Sequence, residues 1–118
     1  MEEYVTKLLK LAKETLSIVE TSALKDNEIK MIINAAIIDM KRVGIDVDKN
    51  KADDLIILTI MTYVKANFGD TDSNKKKSYM QQYLNNLNDI KLTCKYLIQE
   101  SGDSNAWRRM YIAILFFF

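Results

Sequence analysis

The chain has 118 residues, the size of one compact domain, so we expect a single core and exclude two full domains. Seventeen Lys and Arg residues against sixteen Asp and Glu give a formal charge of +1, far from the basic excess of a dedicated nucleic-acid-binding protein. With no histidine and a single cysteine, Cys94, the chain lacks the commonest general base, the commonest metal ligand and any internal disulfide.

Targeting and membrane signals are the next features that the sequence can test. The first residues, Met-Glu-Glu-Tyr, lack the basic and then apolar order of a secretory signal, so we expect a cytoplasmic protein. The only long uncharged apolar run is residues 110–118, whereas a membrane-spanning helix needs about 20 residues. We therefore expect no contact with a membrane.

The chain has no proline, and three glycines together with polar clusters divide it into four helical blocks. An apolar stripe at three- and four-residue spacing predicts helix one over about residues 2–17, followed by a loop to residue 25. Helix two is predicted to begin at Asp26 or Asn27, which are good N-caps, and to end at Gly44 in the left-handed conformation. Its inner face carries Ile29, Ile32, Ile33, Ala36, Ile37, Met40 and Val43.

Helix three is predicted from residues 51–54 to 67–69, and its apolar residues lie nearly all round, as expected of a central helix. Helix four begins after residues 70–73 and either continues beyond Lys91 or breaks near it. Its predicted inner face carries Met80, Tyr83, Leu84, Leu87, Ile90, Cys94 and Leu97. The chain is thus divided into an all-α domain of four helices, residues 1–98, and a linker with a C-terminal arm, residues 99–118.

The loop after helix two resembles part of a calcium site. Asp46, Asp48 and Asn50 match positions one, three and five of an EF-hand loop. Position six requires glycine and is Lys51, and position twelve requires glutamate and is Ile57. We therefore interpret these residues as a solvated connection with helix-capping groups.

Residues that could carry chemistry are few. Lys75, Lys76 and Lys77 oppose the dipole of helix four, which favours either a solvated face or a contact with an acidic partner or passing phosphate. Cys94 lies at a helical spacing from apolar neighbours and has no histidine to activate it. Adjacent acids such as Asp53 and Asp54 point about 100° apart on a helix and do not form an acid–base pair. We expect a non-enzymatic protein without a cofactor or a bound metal.

Three segments add information that periodicity does not supply. They are IKMIINAAIIDMKRVG at 29–44, LIILTIMTYVKANFGD at 55–70 and KKKSYMQQYLNNL at 75–87. Together they resemble the head–tail connector (adaptor, head completion) family of tailed bacteriophages and prophages. The most specific part is Tyr63-Val64-Lys65-Ala66-Asn67-Phe68-Gly69, an apolar helix end before an acidic turn and the next helix. The resemblance covers residues 1 to about 98.

This resemblance implies a helical subunit that assembles into a ring, typically a dodecamer, beneath the portal of a DNA-filled capsid. Such a ring joins the portal to the stopper or tail-completion proteins and leaves a channel for DNA without sequence-specific binding. The protein would then reside in the virion at the head–tail interface, and in the host cytoplasm during assembly. Two alternatives remain at this point: a small helical DNA-binding or regulatory domain, and a calcium-responsive helical module.

The C-terminal segment WRRMYIAILFFF is more hydrophobic than the resemblance leads us to expect. A contiguous apolar segment of this kind usually marks an interface. We therefore predict that residues 107–118 form an arm that docks on the portal or on an adjacent subunit. Its predicted contact residues are Trp107, Arg108, Arg109, Tyr111, Ile112, Ile114, Phe116, Phe117 and Phe118. The lysines of residues 75–77 are the predicted contact with DNA in the channel or with an acidic partner.

Overall fold

The computed structural model describes residues 2–18, 23–69 and 72–98. They form four helices, α1 (Glu2–Thr15), α2 (Asp26–Arg42), α3 (Asp54–Asn67) and α4 (Ser73–Lys91), followed by a short 3-10 turn, Cys94–Tyr96. In these residues the only β-type pairing is an isolated antiparallel bridge between Ile45 and Leu97. The predicted all-α class with four helices is confirmed.

The first helix ends two residues earlier than predicted, at Thr15. Ser17 has a φ of 59°, and the N–H groups of Ser17 and Ile18 donate to the carbonyls of Glu14 (3.1 Å) and Lys13 (2.8 Å). This hydrogen-bond pattern is a Schellman motif, which usually places glycine in the left-handed position. A serine therefore terminates α1 where the sequence offers no glycine signal.

The start of α2 corrects the prediction that Asp26 or Asn27 is the N-cap. Lys25 holds the N-cap position without a side-chain hydrogen bond, and Asp26 is the first helical residue. The carboxylate of Asp26 pairs instead with the ammonium group of Lys13 at 2.9 Å, and the Lys13 side chain is only 5% exposed. A tertiary ion pair between the end of α1 and the start of α2 thus uses the group that local sequence assigns to capping.

The end of α2 agrees with the prediction. Gly44 has a φ of 95°, and the N–H groups of Gly44 and Ile45 donate to the carbonyls of Lys41 and Met40, each at 3.0 Å. These bonds form a second Schellman motif. Ile45 and Met40 are both fully buried, so the motif brings the chain from α2 back into the core.

The core is centred on α3, which packs against α2 and α4 and also contacts α1. The apolar residues on its inner side are nearly inaccessible to solvent, and residues from the predicted inner faces of α2 and α4 are equally buried. This set comprises Ile33, Ile37, Ile56, Ile60, Met61, Val64, Tyr83 and Leu87. On the opposite side Leu58 is 55% exposed, so α3 is not covered all round.

Asp72 caps α4 by accepting a hydrogen bond from the N–H of Asn74 at 3.1 Å, and the helix ends at Lys91. The predicted inner face is correct for Tyr83, Leu87 and Ile90, whereas Leu84 is 45% exposed. Leu97 does not continue this face, because the chain leaves the helix before it and Leu97 joins the bridge to Ile45. Among the described helices, none has the length and apolar content needed to cross a membrane.

Candidate functional site

The segment Tyr63–Gly69, on which the resemblance chiefly depends, forms the end of α3 and the turn toward α4. The rings of Tyr63 and Tyr83 meet edge to face with centroids 4.9 Å apart. The ammonium of Lys65 lies over the ring of Tyr79, 5.7 Å from its centroid. Every one of these contacts joins α3 to α4, so the segment fixes how the two helices pack.

The same segment also fixes the turn itself. The side-chain amide of Asn67 donates to the carbonyl of Tyr63 at 2.8 Å. Gly69 has a φ of 74°, a conformation that glycine adopts without the steric penalty of a side chain. Its carbonyl accepts a hydrogen bond from the ammonium of Lys76 at 2.6 Å. The motif is therefore structural, and it determines where the N-terminus of α4 lies.

The three consecutive lysines of α4 do not share one environment. Lys76 is half-buried and bound to the Gly69 carbonyl, whereas Lys75 and Lys77 are exposed. No carboxylate among the described residues forms an ion pair with Lys75 or Lys77. The first turn of α4 also carries no acidic residue. Two free ammonium groups thus point into solvent beside one that holds the turn.

A polar network joins α2 to α4 beside the core. The hydroxyl of Tyr83 donates to Oδ2 of Asp39 at 2.6 Å, and the guanidinium of Arg42 donates to Oδ1 at 2.6 Å. Burial alone would raise the pKa of Asp39, but these two hydrogen bonds lower it below its usual value. Burial and the neighbouring Asp39 carboxylate strongly raise the pKa of Tyr83. The hydroxyl is therefore a fixed donor, and Asp39 stays ionised.

The oxygen atoms of the acidic loop after α2 accept hydrogen bonds from, or form ion pairs with, groups of the same chain. Oδ1 of Asp46 accepts from the N–H of Lys49 at 3.1 Å, and the side-chain amide of Asn50 donates to the Asp46 carbonyl at 2.7 Å. Asp48 forms an ion pair with Lys41 at 3.4 Å. In the part of the chain that the structure describes, no cluster of three or more His, Cys, Asp or Glu residues is arranged to hold a metal. The prediction that these loop residues cap a helix is therefore wrong: they form turns and an ion pair, while the α3 cap is Asp53.

This loop also anchors the end of the helical domain. The N–H of Asp46 donates to the Tyr96 carbonyl at 2.6 Å, and the N–H of Ile98 donates to the Gly44 carbonyl at 2.8 Å. The Tyr96 hydroxyl donates to Oδ2 of Asp53 at 3.0 Å, while Oδ1 of Asp53 accepts from the first N–H groups of α3. The chain beyond residue 98 therefore starts from the C-terminal end of α2.

Sequence reasoning missed this anchor and the Asp39–Tyr83 network. Tyr96 is buried and contacts a residue 43 positions away, and Tyr83 contacts one 44 positions away. Alternation of buried Ile45 and Val47 around Asp46 was the available signal for an extended segment. The predicted arm, Trp107 to Phe118 with its linker, lies outside the described residues.

The comparisons with known proteins can now be set beside this geometry. The family model for phage connector proteins matches residues 8–97, which is most of the chain. The chain belongs to the phage head–tail connector family. Comparison with curated proteins and with solved structures gave no significant match. The matched range runs from the middle of α1 to Leu97, so it covers most of the helical domain and not the arm.

Membership of the connector family agrees with the chemistry of the described residues. Connector proteins are structural components of the phage particle, and the protein is accordingly assigned to the virion. Apart from Lys75 and Lys77, the polar side chains described above bind each other, cap helices or hold turns. Family and structure together describe a helical building block of the phage head–tail junction.

Proposed function

We propose that the protein is a connector subunit that forms a ring beneath the portal and joins the capsid to the stopper or tail-completion proteins. The family match over residues 8–97 is the observation that carries this proposal. The ring, typically a dodecamer in such proteins, leaves a central channel through which DNA passes without sequence-specific binding. The subunits assemble in the host cytoplasm, before or while they join the portal.

Exposed apolar side chains support assembly with other protein surfaces. Eight large hydrophobic residues of the described chain are exposed, and one of them, Leu84, was predicted on the inner face of α4. They are spread over the loop before α2 and over all four helices, and they continue into the anchor at residues 94–98. They are Leu11, Leu24, Met31, Ile38, Leu58, Leu84, Leu92 and Ile98. A subunit with neighbours on two sides can cover such a distribution, because ring contacts use two different surfaces of each copy.

The exposed lysines of α4 support a role beside the DNA or an acidic neighbour. Ammonium groups clustered at one helix end repel each other, and they are stabilised when phosphates or carboxylates approach them. The ammonium groups of Lys75 and Lys77 are exposed and can bind such an anion, while that of Lys76 already donates to the Gly69 carbonyl. We therefore place Lys75 and Lys77 on the channel side or against an acidic partner.

This assignment is tested by reversing two charges. Changing Lys75 and Lys77 to Glu keeps the Lys76 bond and is expected to lower genome retention or ring assembly, more strongly at low salt. A matched variant with Lys7 and Lys49 changed to Glu alters the same charge on other exposed positions. Equal particle yield and genome retention in both variants would show that Lys75 and Lys77 are only a solvated face.

The arm, residues 107–118, is the proposed attachment to the portal or to an adjacent subunit. Trp107 and the two arginines that follow it are residue types enriched at binding hot spots. Deleting residues 107–118 is expected to leave the helical domain folded and to abolish its attachment to the portal. Circular dichroism of the variant and its occupancy on purified particles measure these two effects. Normal occupancy of the truncated protein would place the portal contact on α1 to α4.

A further inference from the structure

Helix α2 has a second apolar face besides the one buried in the core. Met31 is 72% exposed and Ile38 is 66% exposed, with half-buried Ala35 between them. Their spacing of four and three residues places them on one side of the helix, opposite the core face around Ile33. We call Met31, Ala35 and Ile38 the outer stripe. It extends about 10 Å along α2.

The chain beyond the helical domain starts at one end of the helix that carries the outer stripe. The N–H of Ile98 donates to the carbonyl of Gly44, which lies directly after α2, at a distance of 2.8 Å. The bridge between Ile45 and Leu97 holds the same two segments together. Ile98, the last described residue, therefore lies at the C-terminal end of the helix that carries the outer stripe.

The linker has the length needed to bring the arm onto the stripe. Residues 99–106 are eight residues with Gly102 near their middle, and a chain of this length reaches at most about 26–29 Å when extended. The centre of the stripe, Ala35, lies nine residues before Gly44, or about 14 Å along the axis, and about 10 Å across the helix from its core face. The extended reach of the linker exceeds this path, so the arm can contact the stripe of its own chain.

We propose that in the unassembled subunit the arm, residues 107–118, docks on the outer stripe of its own chain. The inference rests on residues 107–118 being the arm of the proposed function. Nine consecutive uncharged residues, 110–118, supply aromatic and aliphatic side chains for the exposed Met31 and Ile38. The effective concentration of the arm at the stripe of its own chain is about 1 mM. At micromolar protein, this contact is therefore favoured over contact with a second copy.

The docked state would protect two apolar surfaces until assembly. An exposed arm and an exposed stripe each favour aggregation of free subunits. When a portal or a neighbouring subunit offers the arm a larger surface, the arm leaves and the stripe becomes free for the next contact in the ring. The connector would thus expose its assembly surfaces only at the particle.

Photo-crosslinking of the free, full-length subunit tests the proposal. The photoreactive amino acid p-benzoylphenylalanine replaces Ile38, and in a matched control it replaces Gln82, which is exposed on α4. We expect irradiation at micromolar concentration to crosslink position 38 to a peptide from residues 107–118 in a product of monomer mass. The control at position 82 should not crosslink to this peptide.

The other outcomes would overturn docking within the chain. A crosslink to the arm only in a dimeric product would show that the stripe receives the arm of another copy. A crosslink to a different peptide, or none to the arm, would show that the arm lies elsewhere. No portal is present in this experiment, so none of these results decides whether the arm attaches to the particle. The deletion of residues 107–118 tests that attachment separately.

Fluorescence gives a second readout, since Trp107 is the only tryptophan of the chain. Ile38→Asp places a charge in the stripe and is expected to lower the ratio of docked to free arm about tenfold or more. Acrylamide should then quench Trp107 more strongly than in the parent or in Gln82→Asp. Unchanged quenching with unchanged circular dichroism would contradict the proposal.

Discussion

Replacing Tyr83 by Phe isolates the bond that joins α2 to α4. Tyr83 is 1% exposed, its hydroxyl donates to Asp39, and its ring packs edge to face on Tyr63. The substitution removes one oxygen atom and keeps the ring, so the aromatic contact and the apolar burial are retained. Any loss of stability therefore reports the hydrogen bond.

The expected loss follows from the charge on the acceptor. A hydrogen bond to an ionised group contributes about 1.5–3 kcal/mol to the free energy of unfolding. The Asp39 side chain is 24% exposed and keeps its bond to Arg42, so water and the guanidinium still stabilise the carboxylate in the variant. We therefore expect Tyr83→Phe to lower the free energy of unfolding by about 2 kcal/mol at neutral pH.

The pH dependence has a definite sign. The pKa of Asp39 is lower in the folded protein than in the unfolded chain. The contribution of the ionised Asp39 to the free energy of unfolding is therefore complete above the unfolded pKa of about 4. The contribution is lost as the pH falls through the lower folded pKa. The difference between the parent and Tyr83→Phe should therefore be largest near neutral pH and shrink once Asp39 is protonated.

Urea unfolding followed by circular dichroism, repeated from neutral pH to about pH 3, measures both effects. Tyr79→Phe is the matched control, because Tyr79 lies on the same helix and is half-buried without a hydroxyl hydrogen bond among the described contacts. It should change stability by less than about 0.5 kcal/mol. Equal stability of the two variants, or a loss at Tyr83 that does not change with pH, would refute the assigned role of the bond.

Two further substitutions test the core and the end of α1. Ile60→Asp buries an unpaired charge at the centre of α3 and should prevent folding, whereas Leu58→Asp on the exposed side of the same helix should fold. Circular dichroism measures whether each variant is folded, and a folded Ile60→Asp protein would contradict the central position of α3. Ser17→Gly removes the cost of a left-handed serine and should raise the free energy of unfolding by about 1 kcal/mol, measured by urea unfolding. Ser78→Gly, at an exposed position within α4, should lower the free energy of unfolding. A loss of stability at both positions would be inconsistent with the Schellman motif.

The helices were predictable because their signals are local. The stripe from Ile29 to Met40 repeats every three to four residues, and Gly44 marks the end that the structure confirms. Leu84 was misassigned because it lies at the edge of the apolar face of α4, where a small rotation of the helix decides its exposure. Sequence spacing does not report that rotation.

Long-range polar pairs account for most of what sequence reasoning missed. Asp26 has the residue type and position of an N-cap, but its carboxylate is used by Lys13 of α1. Asp53 and Tyr96 are likewise brought together only by the fold. The family resemblance was detectable from Tyr63 to Gly69 because that segment sets the α3–α4 packing and turn, which makes its sequence distinctive.

An image of the assembled particle tests the central claim most directly. Electron cryomicroscopy of the portal vertex, in particles produced with this protein, should show a closed ring directly beneath the portal. The helical domain, residues 2–98, should fit each subunit of that ring, with Lys75 and Lys77 toward the channel or an acidic neighbour. A portal vertex without this subunit, in particles that nevertheless join head to tail, would contradict the account.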